Sequence, residues 1–193
     1  MEQEENMKRI ALVLSLALLS VLTLATVSTA ELGLKGIGGK VGLVMPEGEA
    51  DNTFGLGVVA DLGTITSQLR AEASADYWGD SWGIEPYEYS WSAITIGATV
   101  KYDFPLGGNI TPFAGGGLGF TISRSKWDSP VISAYGLSTG GSTSSSDSDI
   151  GFHFLGGIDM PIGSNMKFTA EAKYAMDGAD VLWLTGAILV ALQ

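Results

Sequence analysis

From residue 33 onward, polar and apolar side chains alternate with a period of two, the repeat of a strand whose two faces meet different surroundings. In residues 65–77 one face reads Ile65, Ser67, Leu69, Ala71, Ala73, Ala75 and Tyr77, and the other Thr66, Gln68, Arg70, Glu72, Ser74 and Asp76. Residues 91–104 repeat the pattern. Ile94, Ile96, Ala98, Val100, Tyr102 and Phe104 oppose Thr95, Gly97, Thr99, Lys101 and Asp103. Eight such segments are expected, at 33–45, 54–62, 65–77, 91–104, 110–124, 149–160, 166–176 and 181–192. Most are longer than the ~5–6 residues usual in soluble sheets and match the ~9–11 that a tilted strand needs to cross a bilayer.

The connections alternate in length. Gly63-Thr64, residues 105–109 and residues 161–165 carry turn residues, whereas 46–53, 78–90 and 125–148 are longer and polar; 177–180 is short. No stretch after residue 30 holds the ~20 apolar residues of a spanning helix. Glycine is frequent, 27 of 193 residues, and only 16% of residues are charged, against ~25% in soluble domains.

Apolar-polar alternation is common to a soluble sandwich and to a barrel in lipid, so the charges have to separate the two. The polar faces carry Lys40, Asp61, Arg70, Glu72, Asp76, Lys101, Asp103, Asp159, Lys167, Glu171 and Lys173, nearly balanced in sign. The connections instead hold Glu47, Glu49, Asp51, Asp80, Glu85, Glu88, Asp128, Asp147, Asp149, Asp177 and Asp180 against Lys126. Balance on the strands fits a confined lumen in which charges must be paired; excess in the connections fits solvation by water. Glycines 36, 38, 42, 115, 117 and 119 leave room inside for long basic side chains. Phe54, Tyr77, Trp78, Trp91, Trp127 and Tyr174 near one end, and Tyr102, Phe104, Phe113 and Phe168 near the other, are expected to form two interfacial girdles. The last strand has two apolar faces, so its orientation is not legible.

The first thirty residues read as a secretory signal peptide. Met7-Lys8-Arg9 is the basic start, Ile10 to Ala25 the apolar run, and Ser28 and Ala30 the small residues before cleavage between Ala30 and Glu31. Translation is expected to start at Met7, and the expected mature domain is 31–193. Removing 1–30 takes away Lys8, Arg9, Glu2, Glu4 and Glu5, which turns the formal charge of −11 into −10. So acidic a chain is a poor nucleic-acid partner, and without cysteine it has neither disulfide nor thiolate chemistry.

This export signal, the eight alternating strands and Ile110-Thr111-Pro112-Phe113-Ala114-Gly115-Gly116-Gly117-Leu118-Gly119-Phe120 together resemble the small outer-membrane β-barrel families. These are the OmpX/Ail-like and opacity-like proteins and the OmpA transmembrane domain, loosely grouped as porin-family proteins. The resemblance implies an all-β, eight-stranded antiparallel up-and-down transmembrane barrel after a helical signal peptide, in the outer membrane. Lipid, lipopolysaccharide and the barrel-assembly machinery are the partners it implies. Such proteins usually end in an aromatic residue, whereas this chain ends Val190-Ala191-Leu192-Gln193.

No cofactor or metal is expected, and no catalytic residue. His153, the one histidine, falls on the polar face without a neighbouring serine, so a lumen histidine bonded to a carboxylate is expected over a lipid A-modifying base. Glu72 and Glu171 are expected in ion pairs, with Arg70 and Lys173 nearby, not as an acid/base couple. The glycines at 115–119 lack the Lys-Ser/Thr of a phosphate loop. The expected lumen network is Lys40, Asp61, Arg70, Glu72, Lys101, Asp103, His153, Asp159, Glu171 and Lys173. Recognition is expected from loop 78–90, through Trp78, Asp80, Trp82, Glu85, Tyr87, Glu88 and Tyr89, which could meet host or other surface ligands; loop 125–148 is expected to be mobile. Structural or adhesive work is the leading expectation. A lipid-modifying enzyme, a narrow ion channel and a soluble periplasmic barrel are the alternatives.

Overall fold

The computed structural model describes residues 30–47, 51–84, 87–134, 137–176 and 180–192; for 82–84, 87–88, 128–134 and 137–142 it describes backbone alone. The expected signal peptide and its processing lie outside the described residues.

Eight strands are described: β1 (Glu31–Pro46), β2 (Thr53–Thr64), β3 (Leu69–Ile84), β4 (Tyr87–Asp103), β5 (Thr111–Ala134), β6 (Leu137–Pro161), β7 (Met166–Met176) and β8 (Val181–Ala191). Each pairs antiparallel with its neighbour in sequence, and β8 closes on β1 from Gly36↔Ala191 to Pro46↔Val181. Closure leaves the spanning ladder without an edge, as hydrocarbon demands, because lipid cannot bond an open peptide group.

The alternation resolves into two faces. Ile37, Val41, Leu56, Val58, Ile96, Leu118, Phe154 and Ile188 point outward and are exposed, while Lys40, Arg70, Glu72, Asp76, Lys101 and Lys173 are buried inside. Lys101 and Asp76 retain only 1% of their accessible surface. A soluble barrel would reverse this. An apolar belt around a charged interior far exceeds the few hundred Å² of contiguous apolar surface tolerated in water, so the soluble alternative is corrected.

The first turn differs from expectation. β2 continues to Thr64 and the turn falls at 65–68, closed by Ile65 N–H donating to the Leu69 carbonyl at 2.7 Å. An extra residue on β2 between Asp61 and Thr64 shifts the register. Gly63 there has φ +87°, and its N–H donates to Asp61 Oδ1 at 2.8 Å. That left-handed backbone suits glycine.

The largest departure lies at the opposite end. Residues 78–84 and 87–90 continue β3 and β4, and 125–134 and 137–148 continue β5 and β6, paired as far as Ala134↔Leu137. The loops expected from composition at 78–90 and 125–148 are therefore mostly paired strand. Serine and threonine satisfy a ladder as well as they solvate a loop, and a neighbouring strand overrides weak local preference. The last strand is decided too: Val181, Trp183, Thr185, Ala187 and Leu189 face inward.

Candidate functional site

Among the described residues, the lumen is where chemistry-bearing side chains converge, and β3 supplies a residue to each of its layers. Arg70, Glu72, Asp76 and Trp78 share one face of that strand, and their order along it sets the layers from the turn end to the hairpin end.

At the turn end, Arg70 Nε lies 3.0 Å from Asp103 and its Nη2 lies 2.6 Å from Asp159. Lys167 approaches Asp159 at 3.2 Å and Asp61 at 3.8 Å, and the Thr169 hydroxyl donates to Asp159 at 2.6 Å. In the middle, Lys101 Nζ bridges Glu72 at 2.8 Å and Glu171 at 2.7 Å. Above it, Asp76 receives Lys40 at 2.8 Å and Lys173 at 2.7 Å. These charges sit in a low-dielectric interior, where an unpaired ion costs several kcal/mol; here each is paired across strands.

All ten residues expected in the lumen network line the interior, and Asp76, Lys167 and Thr169 join them. Glu72 and Glu171 share Lys101 as their cation. His153 is buried on the lumen side, away from lipid, and its Nε2 lies 2.8 Å from the Thr99 hydroxyl, not from a carboxylate.

Aromatic residues expected in the girdles partly move inside. Phe113 is buried beneath two cations, with the Arg70 guanidinium 5.0 Å and Lys101 Nζ 4.6 Å from its ring centre, which favours both charges. Trp78 and Trp183 are buried with Val44, Ala93 and Val181, and Trp91 packs against them. Trp78 and Trp91 have ring centres 4.3 Å apart. Phe54 and Tyr77 remain exposed on the outer face, as do Tyr102 and Phe104, whose rings meet edge to face at 5.0 Å.

This tryptophan layer forms the wall of a cavity of about 210 Å³ at the hairpin end of the lumen. Thr95, Thr121 and Ser123 add hydroxyls, His153 and Lys173 lie at its inner end, and Asp147 and Asp149 at its mouth. Glycines 97, 119 and 151 line it and leave the space open. Strands that stop at 77 and resume at 91 leave this layer out, so sequence reasoning misses it. Extending the same alternation two residues past Asp76 puts Trp78 inside.

The set expected for loop recognition is therefore divided. Trp78 belongs to the lumen. Asp80 stands on the projecting part of β3, where its carboxylate accepts the Ser81 N–H at 2.8 Å. Tyr89 meets Trp127 edge to face at 6.2 Å. The side chains of Trp82, Glu85, Tyr87 and Glu88 lie outside the described residues.

Solved structures of the same architecture share little sequence with this chain. Neisserial surface protein A superposes with a TM-score of 0.60 at 16% identity, over 86% of this chain and 100% of that one. A major outer membrane protein from Thermus thermophilus gives 0.57 at 11% identity, over 86% of this chain and 100% of that one. Ail, the attachment invasion locus protein of Yersinia pestis, in complex with the heparin analogue sucrose octasulfate, gives 0.53 at 14% identity, over 82% and 97%. A comparison with curated protein sequences finds no match. With charges sealed inside, an apolar belt outside, and residues 11–186 matching the sequence model of the outer membrane protein beta-barrel domain, this chain belongs to that family of outer-membrane barrels.

Proposed function

We propose that this protein is a non-enzymatic surface-recognition barrel that presents a projecting β-sheet to ligands outside the cell. The observation that carries the reading is the hairpin β5–β6. Among the residues whose side chains are described, its outward apolar residues end at Ile122 and Ile150, yet its ladder continues to Ala134↔Leu137. From Ser123 to Ala134 that is on the order of 40 Å at ~3.3 Å per residue. Among the described residues, β7 pairs with β6 only from Phe152 to Pro161, and residues 137–148 of β6 have no described partner on that edge. Such an edge binds extended segments by adding a strand.

Short turns at one end and long hairpins at the other fit the usual orientation, with turns in the periplasm and hairpins outside. The belt would then contact outer-membrane lipid, with lipopolysaccharide around its external rim, and the barrel-assembly machinery would insert it. The Ail structure holds a polyanionic heparin analogue. Here the external end carries Glu47, Asp51, Asp80, Asp147, Asp149 and Asp180 against Arg124 and Lys126, which disfavours a polyanion and favours a neutral or basic partner. The ion-paired lumen argues against a channel, and the burial of His153 away from lipid argues against lipid modification.

The test is display on whole cells. Cells carrying the protein should bind host-cell or matrix surfaces more than cells lacking it. A variant with residues 129–141 replaced by an Asn-Gly turn should lose that gain while its unheated form still migrates as a folded barrel. Equal binding by both proteins would refute the proposal.

A further inference from the structure

The cavity at the hairpin end of the lumen is a separate matter from the projecting sheet and does not depend on the recognition reading. We infer that it is a binding site for a small uncharged saccharide, entering from outside the cell.

Its position and lining carry the inference. An eight-stranded barrel ordinarily fills its interior with its own side chains, and below Lys173 this one does. Above Lys173, among the described residues, it does not. Three glycines stand where other layers carry long side chains, and about 210 Å³ is left between tryptophan walls, room for one sugar ring. Ligand sites combine such apolar walls with a few fixed polar groups. The indoles of Trp78, Trp91 and Trp183 supply flat apolar faces, suited to the carbon-bound hydrogens of a pyranose ring. Thr95 and Thr121 sit with their hydroxyls 2.7 Å apart and, with Ser123, supply oxygens that both donate and accept.

Charge selects among ligands. A cation would have to approach Lys173, which already lies 5.2 Å from the Trp183 ring centre and beside Lys40, two ammonium groups around the single Asp76 carboxylate. An anion would have to pass Asp147 and Asp149, both exposed at the mouth. A neutral polyol meets neither obstacle, and its hydroxyls donate to those same carboxylates; charged acceptors make the stronger hydrogen bonds.

The experiment is intrinsic fluorescence of the refolded barrel in an amine-oxide detergent, which has no sugar headgroup to compete. The probes are glucose, galactose, mannose, N-acetylglucosamine and lactose, with choline, betaine and acetate as charged controls. At least one sugar should produce a saturable change at concentrations on the order of 10 mM, where a site with a Kd of about 1 mM is nearly filled. Thr121→Val and Asp149→Asn should each weaken it about tenfold, with unheated gel migration confirming the barrel. Trp127→Phe, outside the cavity, should leave the Kd unchanged. Three results would overturn the inference: no saturable response to any sugar, saturation by a charged control alone, or a sugar response that Thr121→Val and Asp149→Asn leave intact.

Discussion

Lys101 on β4 and Glu171 on β7 meet in the middle of the lumen with Nζ 2.7 Å from Oε2, although 70 residues separate them in sequence. Glu72 on β3 completes the group at 2.8 Å. Three strands from opposite sides of the barrel are thus tied by one ammonium, with Phe113 beneath it.

Removing that ammonium leaves two carboxylates buried without a cation. Lys101→Met should destabilise the barrel by about 3–5 kcal/mol, the usual cost of breaking a buried ion pair from one side. Adding Glu72→Gln and Glu171→Gln should recover most of the loss, since the buried charge then disappears. Equilibrium urea unfolding from lipid vesicles measures both, and a single variant within about 1 kcal/mol of the parent would mean that water reaches this layer.

The outer face should reject charge according to depth. Ile96 is 58% exposed and lies near the middle of the belt, while Phe54 lies near its hairpin end. Ile96→Arg should cost about 2–4 kcal/mol and Phe54→Arg about 0–1. The same unfolding assay checks the ratio; equal costs would contradict the assigned span.

Glycine is required at some strand positions and not at others. A Cβ on Gly117 would overlap the Ala98 carbonyl oxygen and lie 2.7 Å from His153 Nε2, whereas a Cβ on Gly39 would meet nothing within 4 Å. Gly117→Ala should therefore lower stability by about 1–3 kcal/mol, the usual range for overpacking, and reduce the folded yield. Gly39→Ala should be neutral. Folded fraction on unheated gels reports the difference.

Ion pairs fill the turn half of the lumen, so the reconstituted protein should give no stable conductance steps in planar bilayers. Steps that persist in the wild-type protein, and change with Lys101→Ala, would restore the channel reading.

His153 bonds to Thr99 within the barrel and does not face lipid. Lipid A from cells carrying wild-type protein, His153→Ala or no protein should have the same mass profile. A modification present only with the wild type would establish the enzyme.

Much of this architecture was legible in the chain itself. A period of two fixes which residues share a face, because successive side chains on a strand must point to opposite sides. Strand number followed from that repeat, and the charged interior from the near-balance of positive and negative residues on the polar faces. Arg70, Glu72, Asp103 and Asp159 could be assigned to one compartment without knowing which would touch. The ends of the strands were not legible. Ser, Thr and Gly in 125–148 are compatible with water or with a ladder, and only the neighbouring strand decides.

What the sequence determined is therefore parity, which residues of a strand share a face, since that depends on local backbone geometry. What the tertiary structure decided is register and closure. Lys101 selects Glu171, His153 selects Thr99, and Trp183 turns inward on a strand with two apolar faces, because those outcomes depend on how far each strand slides past the next. The cavity between the tryptophans arises the same way. No local pattern encodes an empty space; it appears where eight strands happen to bring glycine opposite glycine.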